Sequence, residues 1–600
     1  MIIPMKKVTV LVSHISKDDS LKELRDLGVM HVTPLKTIPS EKGFLIEEEI
    51  QAINKTLVYL PSHPEKKHKP IDKPVHDLSL EIHDLQKKKN ELQVYKEECL
   101  GQLDWYENWG KILLASLKKI TESGLYIRFY SASSSFLKTI RKDKNIFIVN
   151  KNKSIVRLIY ISKDADDRLN LKEEILPDME YKEVEDEIKR VENDIAKIDK
   201  KLIELSGSRI QLEEYKKELF TNLEFEKVRS GMADEELFCY LQGFVPKNDV
   251  AAVKKKADEN GWAYLIEEPG DEDDIPTWIK NPKWVETIKP VFSLMGTIPG
   301  YREFDISVWF LIFFTFFVAM LIADAGYGFI FLIIGILTYP KLKKVNKNLS
   351  FLLLTLSVAT IVWGTLTGTW FGSPEIANIP FFRQFVIPEI SSFNIAKEFS
   401  DNQDYIMEFC LLIGVIHLTF AHLIIAFKYL NSLRAVGQLG WIGLVWALYF
   451  LAIFLMFSKP MPSFNLLLLG ISAGLALLFS NVDKNIGKSI IKAFGVESFF
   501  AFILSIISSF SDVVSYLRLF AVGFASVVVA YSFNVMAIGD GINSVGTAIT
   551  AVLIFIAGHG LNIILGLMAI IVHGIRLNML EFSGHLNMEW SGYEFKPFKK

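Results

Sequence analysis

The sequence predicts a protein in two parts: an N-terminal α+β arm, then an all-α polytopic membrane domain of eight transmembrane helices, the last two long and tilted. The 600 residues are almost balanced in charge, with 66 Lys and Arg against 69 Asp and Glu. Those charges concentrate in residues 1–300, which therefore form the water-soluble part. Residues 301–600 contain long apolar runs with few charges, as membrane helices require.

Three segments of the arm are typical of small α/β heads, at about residues 1–75, 115–175 and 232–268. The first combines the alternating run KKVTVLVS, the helical spacing of SKDDSLKELRDLG and the strand-like VMHVTPL. The second alternates in GLYIRFYSASSSFLKTI and NIFIVNKNKSIVRLIYIS. The third, FCYLQGFVPKNDVAAVKKKADENGWAYLIEE, predicts a strand-helix-strand unit near the membrane.

Two heptad runs predict a long antiparallel two-helix coiled coil that joins the heads, about residues 78–112 with about 178–225. Apolar residues recur at steps of three and four in both runs. Lys89 and Lys96 interrupt the first seam, and Arg209 and Lys216 the second. The apolar positions are Leu78, Ile82, Leu85, Leu92, Cys99, Leu103 and Tyr106, and then Val184, Ile188, Val191, Ile195, Ile198, Leu202, Leu205, Leu212 and Leu219.

Eight apolar segments follow in the second half of the chain. The first two are separated only by a short segment at Asp324, so they form either one broken helix or a tight hairpin. The last two exceed the ~20 residues of a perpendicular span, which predicts tilt, kinking or extension beyond the bilayer. The segments are roughly 306–323, 325–339, 350–371, 405–428, 438–457, 463–480, 496–535 and 543–580.

Basic residues in the loops predict the orientation. With a cytoplasmic arm and eight spans, loops 340–349, 429–437 and 481–495 lie inside, and the C-terminal tail returns to the cytoplasm. These loops and their edges carry nine Lys or Arg against three in the opposite loops, as the positive-inside rule requires. The nine are Lys341, Lys343, Lys344, Lys347, Lys428, Arg434, Lys484, Lys488 and Lys492, and the three are Arg383, Lys397 and Lys459.

Ionisable side chains inside apolar spans are costly and are candidates for function. The densest group lies in SSFSDVVSYLRLFAVGFASVVVA, where Ser511, Ser515, Arg518, Val522 and Ser526 form one helical stripe. Ala521, Gly523 and Ala525 around it allow another helix to approach closely. An arginine keeps its proton, so Arg518 can attract and release a carboxylate but cannot relay protons.

Other polar residues occur in spans four and eight. The last span carries His559 and Asn562, then His573 and Arg576 on one face, and Glu581 further along. Structural roles stay open for several of these positions: an Arg518 pair with Asp512, snorkelling of Arg576 to the interface, helix contacts for His417 and His422, a helix cap for Asp324, and a solvated position for Glu408.

Four motifs resemble the large membrane subunit of rotary V-type and archaeal-type ATPases, called subunit I in prokaryotes and subunit a in eukaryotes. They are FSDVVSYLRLFAVGFAS, FTFFVAMLIADAGYGFIFL, IGVIHLTFAHL, and VHGIRLNMLEF with the tail YEFKPF. The order of parts, soluble heads, long paired helices and then eight spans, is similar across nearly the whole chain. The resemblance is therefore to the complete subunit.

The resemblance implies a stator in the cell membrane that forms proton or sodium half-channels against a proteolipid (c/K) ring. It implies that Arg518 is the essential ion-translocation arginine and Arg576 its partner on the last helix. The further candidates for the ion path are Asp512, Ser515, Ser526, His573, Glu581 and His559. The other implied partners are peripheral stalk subunits of E/G type, a central-stalk socket subunit of d/C type, and membrane lipid.

One departure from the family pattern concerns the exit half-channel. Eukaryotic relatives carry a glutamate about ten residues before the second arginine, where this chain has Gly566, and Ser526 stands where some relatives have histidine. The residues of that half-channel therefore cannot be transferred one by one.

Several function classes are excluded. Cys99, Cys239 and Cys410 lie too far apart for a disulfide framework or a zinc site. The near-neutral charge gives no reason to expect nucleic-acid binding. The chain lacks a G-x-x-x-x-G-K-[ST] motif, so we expect a non-catalytic subunit without a nucleotide site, cofactor or metal. A stand-alone secondary ion transporter is the alternative, but no convincing repeat relates spans 1–4 to spans 5–8, and the arm would be unexplained.

Overall fold

The computed structural model describes residues 1–36, 40–61, 73–133, 145–151, 155–391, 399–480, 482, 494–538, 541 and 544–599. Parts of the first two predicted heads fall outside these ranges, as does most of loop 481–495. Lys397, Lys484, Lys488 and Lys492, which contribute to the orientation prediction, lie outside the described residues. The side chain of Lys344 does as well.

The arm contains eight strands and eight helices among the described residues. The strands are β1 Met5–Ser13, β2 His31–Thr33, β3 Tyr126–Ser133, β4 Ile146–Lys151, β5 Ile155–Ser162, β6 Ala233–Asp234, β7 Phe238–Pro246 and β8 Ala263–Glu267. The helices are α1 Lys17–Leu27, α2 Glu41–Tyr59, α3 Val75–Trp109, α4 Leu114–Glu122, α5 Tyr181–Leu205, α6 Arg209–Gly231, α7 Val250–Asn260 and α8 Lys289–Met295.

One five-stranded sheet combines the first and third predicted heads. Its order is β2-β7-β1-β8, with β6 paired to β7. Strand β1 runs antiparallel to β7 over nine residue pairs and also antiparallel to β8. The two β-α-β segments therefore interleave, as in a split β-α-β sheet. Val8, Val10, Leu21 and Val253 belong to its core beneath α1 and α7.

The long helices of the arm pack through the predicted apolar positions. Helix α3 contacts α5, and α2 contacts α6. Lys89 and Lys96, which interrupt the first apolar run, form ion pairs across to α5 with Asp199 and Glu192, at 2.5 and 2.7 Å. A second sheet of order β3-β5-β4 caps the far end of this helix pair.

The second predicted heptad run is not one helix. Helix α5 ends at Leu205, and a short 3₁₀ turn at Ser206–Ser208 separates it from α6. The Ser206 and Ser208 hydroxyls each donate to backbone carbonyls three residues earlier, at 2.6 Å. Arg209, an exception in the apolar run, donates to the carbonyls of Leu57 and Leu60 at the end of α2. Helix α2 was not predicted from the sequence.

The membrane domain is helical. Its elements are α9 Ser307–Ile322, α10 Ala325–Val345, α11 Lys347–Thr367, α12 Pro374–Ala377, α13 Pro380–Arg383, α14 Phe399–Lys428, α15 Arg434–Phe457, α16 Asn465–Phe479, α17 Val496–Ser515, α18 Leu517–Ile538 and α19 Val545–Ala569. After α19 come two π-helical stretches, Ile570–Gly574 and Leu577–Phe582, and the short α20 Ser583–His585.

Six helices in the described part of the chain are long and apolar enough to cross a membrane. The last two of these extend over 43 and 41 residues, which matches the predicted length. The other two of the eight predicted apolar segments form α9 and α16, of 16 and 15 residues. Both are shorter than the ~20 residues of a perpendicular span. Six spanning helices are therefore supported by length and composition.

The C-terminal tail returns to the arm. Glu594 bridges to Thr277 and Ser591 to Ile298. Phe598 is 2% exposed and lies in the core of the five-stranded sheet, where its N–H donates to the Met30 carbonyl at 2.8 Å. The end of the last membrane helix and the arm thus lie on the same face of the membrane domain.

Candidate functional site

Arg518 lies in the first turn of α18, just after Tyr516, where the helix is interrupted between α17 and α18. Tyr516 is buried in the core, and its hydroxyl is 2.8 Å from His417 Nδ1 on α14. This contact fixes the position of the helix interruption. A Cβ at Gly523 would lie 2.3 Å from the Met320 carbonyl on α9. The predicted close helix approach at the small residues around Arg518 is therefore confirmed at Gly523.

Arg576 lies between the two π-helical stretches of the last helix. Such bulges widen the helix and are frequent at functional sites. They bring Glu581 between the two arginines: its Oε1 is 3.8 Å from Arg518 Nη1 and 3.6 Å from Arg576 Nε. The exposed fraction of the side chain is 4% for Glu581, 22% for Arg518 and 52% for Arg576.

This group leaves hydrogen-bonding capacity unused. Within the described residues, Arg518 Nη1, Glu581 Oε2 and His573 Nδ1 are buried without a hydrogen-bond partner. Buried polar atoms are normally paired, and an unpaired one in a native structure points to a missing partner or a chemical role. The site can therefore accept a further polar or charged group beside Arg518.

A cavity of about 880 Å³ lies beside this group. We call it the arm-side cavity, because Gly584, His585 and Asn587 in its lining lead into the tail that docks on the arm. Asp512, Arg576, Glu581 and His585 line it, together with Ser498, Ser505, Ser508 and Ser509 of α17. Asp512 does not pair with Arg518. Its Oδ2 is 3.2 Å from His585 Nε2, and His585 Nδ1 is 3.0 Å from His422 Nε2.

A second polar network begins at Ser526, two turns beyond Arg518. Its hydroxyl is 3.3 Å from Asn562 Oδ1, and Asn562 Nδ2 donates to the Tyr327 hydroxyl at 3.0 Å. The Tyr327 hydroxyl is 2.7 Å from His559 Nδ1, and His559 Nε2 is 2.9 Å from Asn534 Oδ1. Asn534 Nδ2 in turn donates to the Phe371 carbonyl at 2.6 Å, next to the loop that follows α11.

The hydrogen bonds in this second network have one consistent direction. The Tyr327 hydroxyl accepts from Asn562, so its own proton goes to His559 Nδ1. His559 then carries its proton on Nε2 and donates it to Asn534. With a neutral His559 imidazole, each of these hydrogen bonds has one donor and one acceptor. The network is therefore uncharged between Ser526 and Phe371.

The predicted site residues fall into separate groups. Arg518, Arg576 and Glu581 meet, and His573 lies one turn before Arg576 with an unpaired nitrogen. Asp512 joins His585, and Ser526 and His559 join the second network. The Ser515 hydroxyl donates to the Asp512 carbonyl of its own helix, at 2.7 Å, and faces neither group of charges.

Asp324 and Glu408 are two of the positions left open at which a structural role occurs. Asp324 caps α10 by accepting from the Gly326 and Tyr327 N–H groups, at 2.8 and 3.2 Å, and also accepts from the backbone of Phe371 and Gly372. Glu408 forms an ion pair with Lys459. Within the described ranges, no three His, Cys, Asp or Glu side chains are arranged to hold a metal ion.

His585, Tyr327 and Asn534 were not among the predicted site residues. His585 follows the last apolar run, so hydropathy assigns it to the tail. Its spacing of four from Glu581 was the available signal, since such residues share a helix face. Tyr327 and Asn534 carry no charge, and nothing in their local sequence separates them from ordinary packing residues.

No family model matches the chain. Among curated proteins, V-type ATP synthase subunit I of Borreliella burgdorferi is 32% identical over 622 aligned positions, covering 100% of both chains. V-type ATP synthase subunit I 1 of Treponema pallidum is 26% identical over 100% of both chains. A-type ATP synthase subunit I of Methanocaldococcus jannaschii is 27% identical over 64% of this chain and 60% of its own.

One solved structure is a crystal structure of the cytoplasmic N-terminal domain of subunit I, homolog of subunit a, of V-ATPase. It is 15% identical and covers 44% of this chain and 99% of its own, with a TM-score of 0.24. That score is below the level at which a shared fold is shown.

Proposed function

The chain belongs to the subunit I family of V-type and A-type ATP synthases, and from this we propose that it is the ion-conducting stator of a rotary ATPase. In this role it forms two half-channels against a ring of proteolipid subunits and couples ion movement to ATP hydrolysis or synthesis. The observation that carries the proposal is Arg518, a partly buried cation with an incomplete ion pair and a buried, unpaired Nη1.

A ring carboxylate is the partner that this arginine suits. In lipid a carboxylate is more stable when neutral, by protonation or by binding sodium. Beside a guanidinium its charged form becomes favourable, so the ion is released there. Arg518 keeps its own proton at working pH and offers the carboxylate a planar set of N–H donors. It can therefore discharge the carboxylate without conducting protons itself.

The outer face of α18 and of the last helix is where we propose that the ring packs. Exposed apolar side chains cover it, among them Tyr531, Val535, Leu561, Leu565 and Met568. In an apolar stretch of 18 residues of the last helix only 22% is buried, the lowest such share among the six long membrane helices. An apolar surface of this kind fits a lipid-embedded partner next to Arg518 and Arg576.

Two polar regions support separate entrances for the ion. The arm-side cavity is lined by Asp512, Arg576 and Glu581. The uncharged network from Ser526 through His559 leads toward Phe371 on another side of the same arginine. We propose that Arg518 separates these half-channels, because its fixed positive charge blocks a proton or sodium ion passing directly between them.

The arm and the tail share one face, and we propose that this face is cytoplasmic in the cell membrane, with the chain divided at about residue 300 and crossing eight times. The arm would be held by peripheral stalk subunits of E/G type, and the membrane domain would meet a central-stalk socket subunit of d/C type. Purification of the native complex tests this: co-purifying catalytic subunits and a proteolipid ring are expected, whereas a lone chain contradicts it.

Substitution of Arg518 tests the mechanism. Arg518→Ala in the assembled complex should abolish ATP-driven ion transport into vesicles while all subunits still co-purify. Arg518→Lys should also fail, since an ammonium lacks the planar fork and can lose its proton when buried. Arg383→Ala, an exposed arginine in the opposite loop, is the matched control and should pump normally. Normal pumping by Arg518→Ala would remove the proposed mechanism.

A further inference from the structure

His585 lies in the wall of the arm-side cavity, at the junction of four helices, with 8% of its side chain exposed. Its Nε2 faces Asp512 Oδ2 at 3.2 Å, and its Nδ1 faces His422 Nε2 at 3.0 Å. His422 Nδ1 is in turn 2.8 Å from Gln438 Oε1. The His422 ring stacks parallel to Trp441, which holds it in this orientation.

With the Gln438 amide oriented as in the structure, the hydrogen bonds in this row determine where the protons lie. Gln438 Oε1 can only accept, so His422 carries its proton on Nδ1 and accepts on Nε2. His585 must then donate from Nδ1 to His422. Asp512 is an acceptor when ionised, so the row is complete when His585 also carries a proton on Nε2. In this arrangement the Asp512–His585 pair holds one extra proton.

The same atoms also form a complete row without that proton. If the Gln438 amide turns over, its N–H₂ group donates to His422 Nδ1, and His422 donates from Nε2 to His585 Nδ1. His585 then holds a single proton on Nε2, which it donates to Asp512. Both arrangements pair all four nitrogens of the two imidazoles, so one proton can be gained or lost while the row of hydrogen bonds stays complete.

We infer that His585 and Asp512 form the proton-exchange group of the arm-side cavity, with His422 and Gln438 as positioning residues. This rests on the proposed function. In one direction the pair takes a proton from cavity water and passes it on through Glu581 to the carboxylate at Arg518. In the other it receives the proton that the carboxylate releases and returns it to water. The charged or titratable groups around the pair are His417, His422, Arg434, Arg518, Arg576 and Glu581.

Chemical rescue in the whole complex tests the inference. His585→Ala leaves a gap in a cavity that is open to water, so imidazole from solution can occupy it. ATP-driven proton uptake into vesicles should fall about tenfold or more, the range of a lost general acid or base. Added imidazole should restore a large part of the rate. His14→Ala, an exposed histidine on the arm, is the matched control and should not respond to imidazole.

Two further variants separate the possible results. His585→Gln keeps a donor and an acceptor without a titratable nitrogen, so it should assemble yet pump as slowly as His585→Ala and not respond to imidazole. Normal pumping by both His585 variants, with Arg518→Ala inactive, overturns this inference and leaves the proposed function intact. If His585→Ala loses proton uptake and imidazole does not restore it, His585 has only a structural role. That result also overturns the inference.

Discussion

Glu581 and Arg518 form an ion pair that is close but incomplete. Their nearest oxygen and nitrogen are 3.8 Å apart, whereas charge-assisted hydrogen bonds are ~2.8 Å long. The same Glu581 oxygen is also 3.6 Å from Arg576. The Glu581 carboxylate is therefore the counter-charge of both arginines but is too far from each for a short charge-assisted hydrogen bond. We propose that it lowers the effective positive charge at Arg518, so that a visiting carboxylate is held and then released.

Removing this resident charge should slow the ion path. In Glu581→Gln the two arginines lose their counter-charge, so a ring carboxylate is bound too tightly at Arg518. We expect ATP-driven transport to fall about tenfold, because ~1.4 kcal/mol of extra binding has that effect on a rate. Transport into vesicles measures it. Glu589→Gln, on the exposed tail, should transport normally, and an unchanged rate in Glu581→Gln would contradict the role given to Glu581.

The uncharged network can be tested at Tyr327. Tyr327→Phe keeps the ring in the core but removes both the acceptor of Asn562 and the donor to His559. We expect the complex to assemble and transport to fall about tenfold, as for a lost proton-transfer group. Tyr339→Phe on the same helix is the control, since Tyr339 lies outside the network. Equal transport by the two variants would exclude the network from the path.

Sequence reasoning located the charges within the apolar spans but not their pairing. Arg518, Arg576 and Glu581 each stand out in apolar runs, because a charge in a span is costly. Their meeting depends on two π-helical stretches and on the helix interruption at Tyr516, which shift the helix faces. Hydropathy and periodicity assume a regular helix, on which the separation of six positions between Asp512 and Arg518 disfavours a pair, so that pair was only left open. Neither signal identifies His585 as the partner of Asp512.

The arm shows the same division between local and distant information. Alternation and heptad spacing located the strands and most helices, since both signals are local. The pairing of β1 with β7 joins segments more than 220 residues apart, which no local pattern encodes. Helix α2 was missed although Ile46, Ile50, Ile53, Leu57 and Leu60 recur along it at steps of three and four. Arg209 was an unexplained exception until the end of α2 provided its acceptors.

The C-terminal tail should stabilise the arm. Phe598 fills the core of the five-stranded sheet, and burying a phenylalanine typically contributes about 3–5 kcal/mol relative to alanine. Phe598→Ala should therefore lower the midpoint of thermal unfolding of the arm and speed its proteolysis in the intact chain. Lys599→Ala, one residue further and exposed, should change neither. An unaltered midpoint in Phe598→Ala would show that the tail is not a structural part of the arm.

Docking of the tail should also depend on pH through His31. The Lys596 N–H donates to His31 Nδ1 at 3.0 Å, which requires that nitrogen to be unprotonated. Burial lowers the pKa of the His31 imidazole below its usual value of 6.5. The unfolded or undocked chain therefore binds more protons than the docked one at mildly acidic pH, and stability rises with pH across this range.

The expected result is tight docking above about pH 6.5 and progressive release as the pH falls toward the lowered pKa of the folded state. Protease cleavage of the tail in the full chain, compared between about pH 7.5 and about pH 5.5, measures it. His31→Gln keeps an acceptor for the Lys596 N–H without a titratable group, so its cleavage should vary much less with pH. If both chains respond equally to pH, another group controls the tail, since the two differ only at His31.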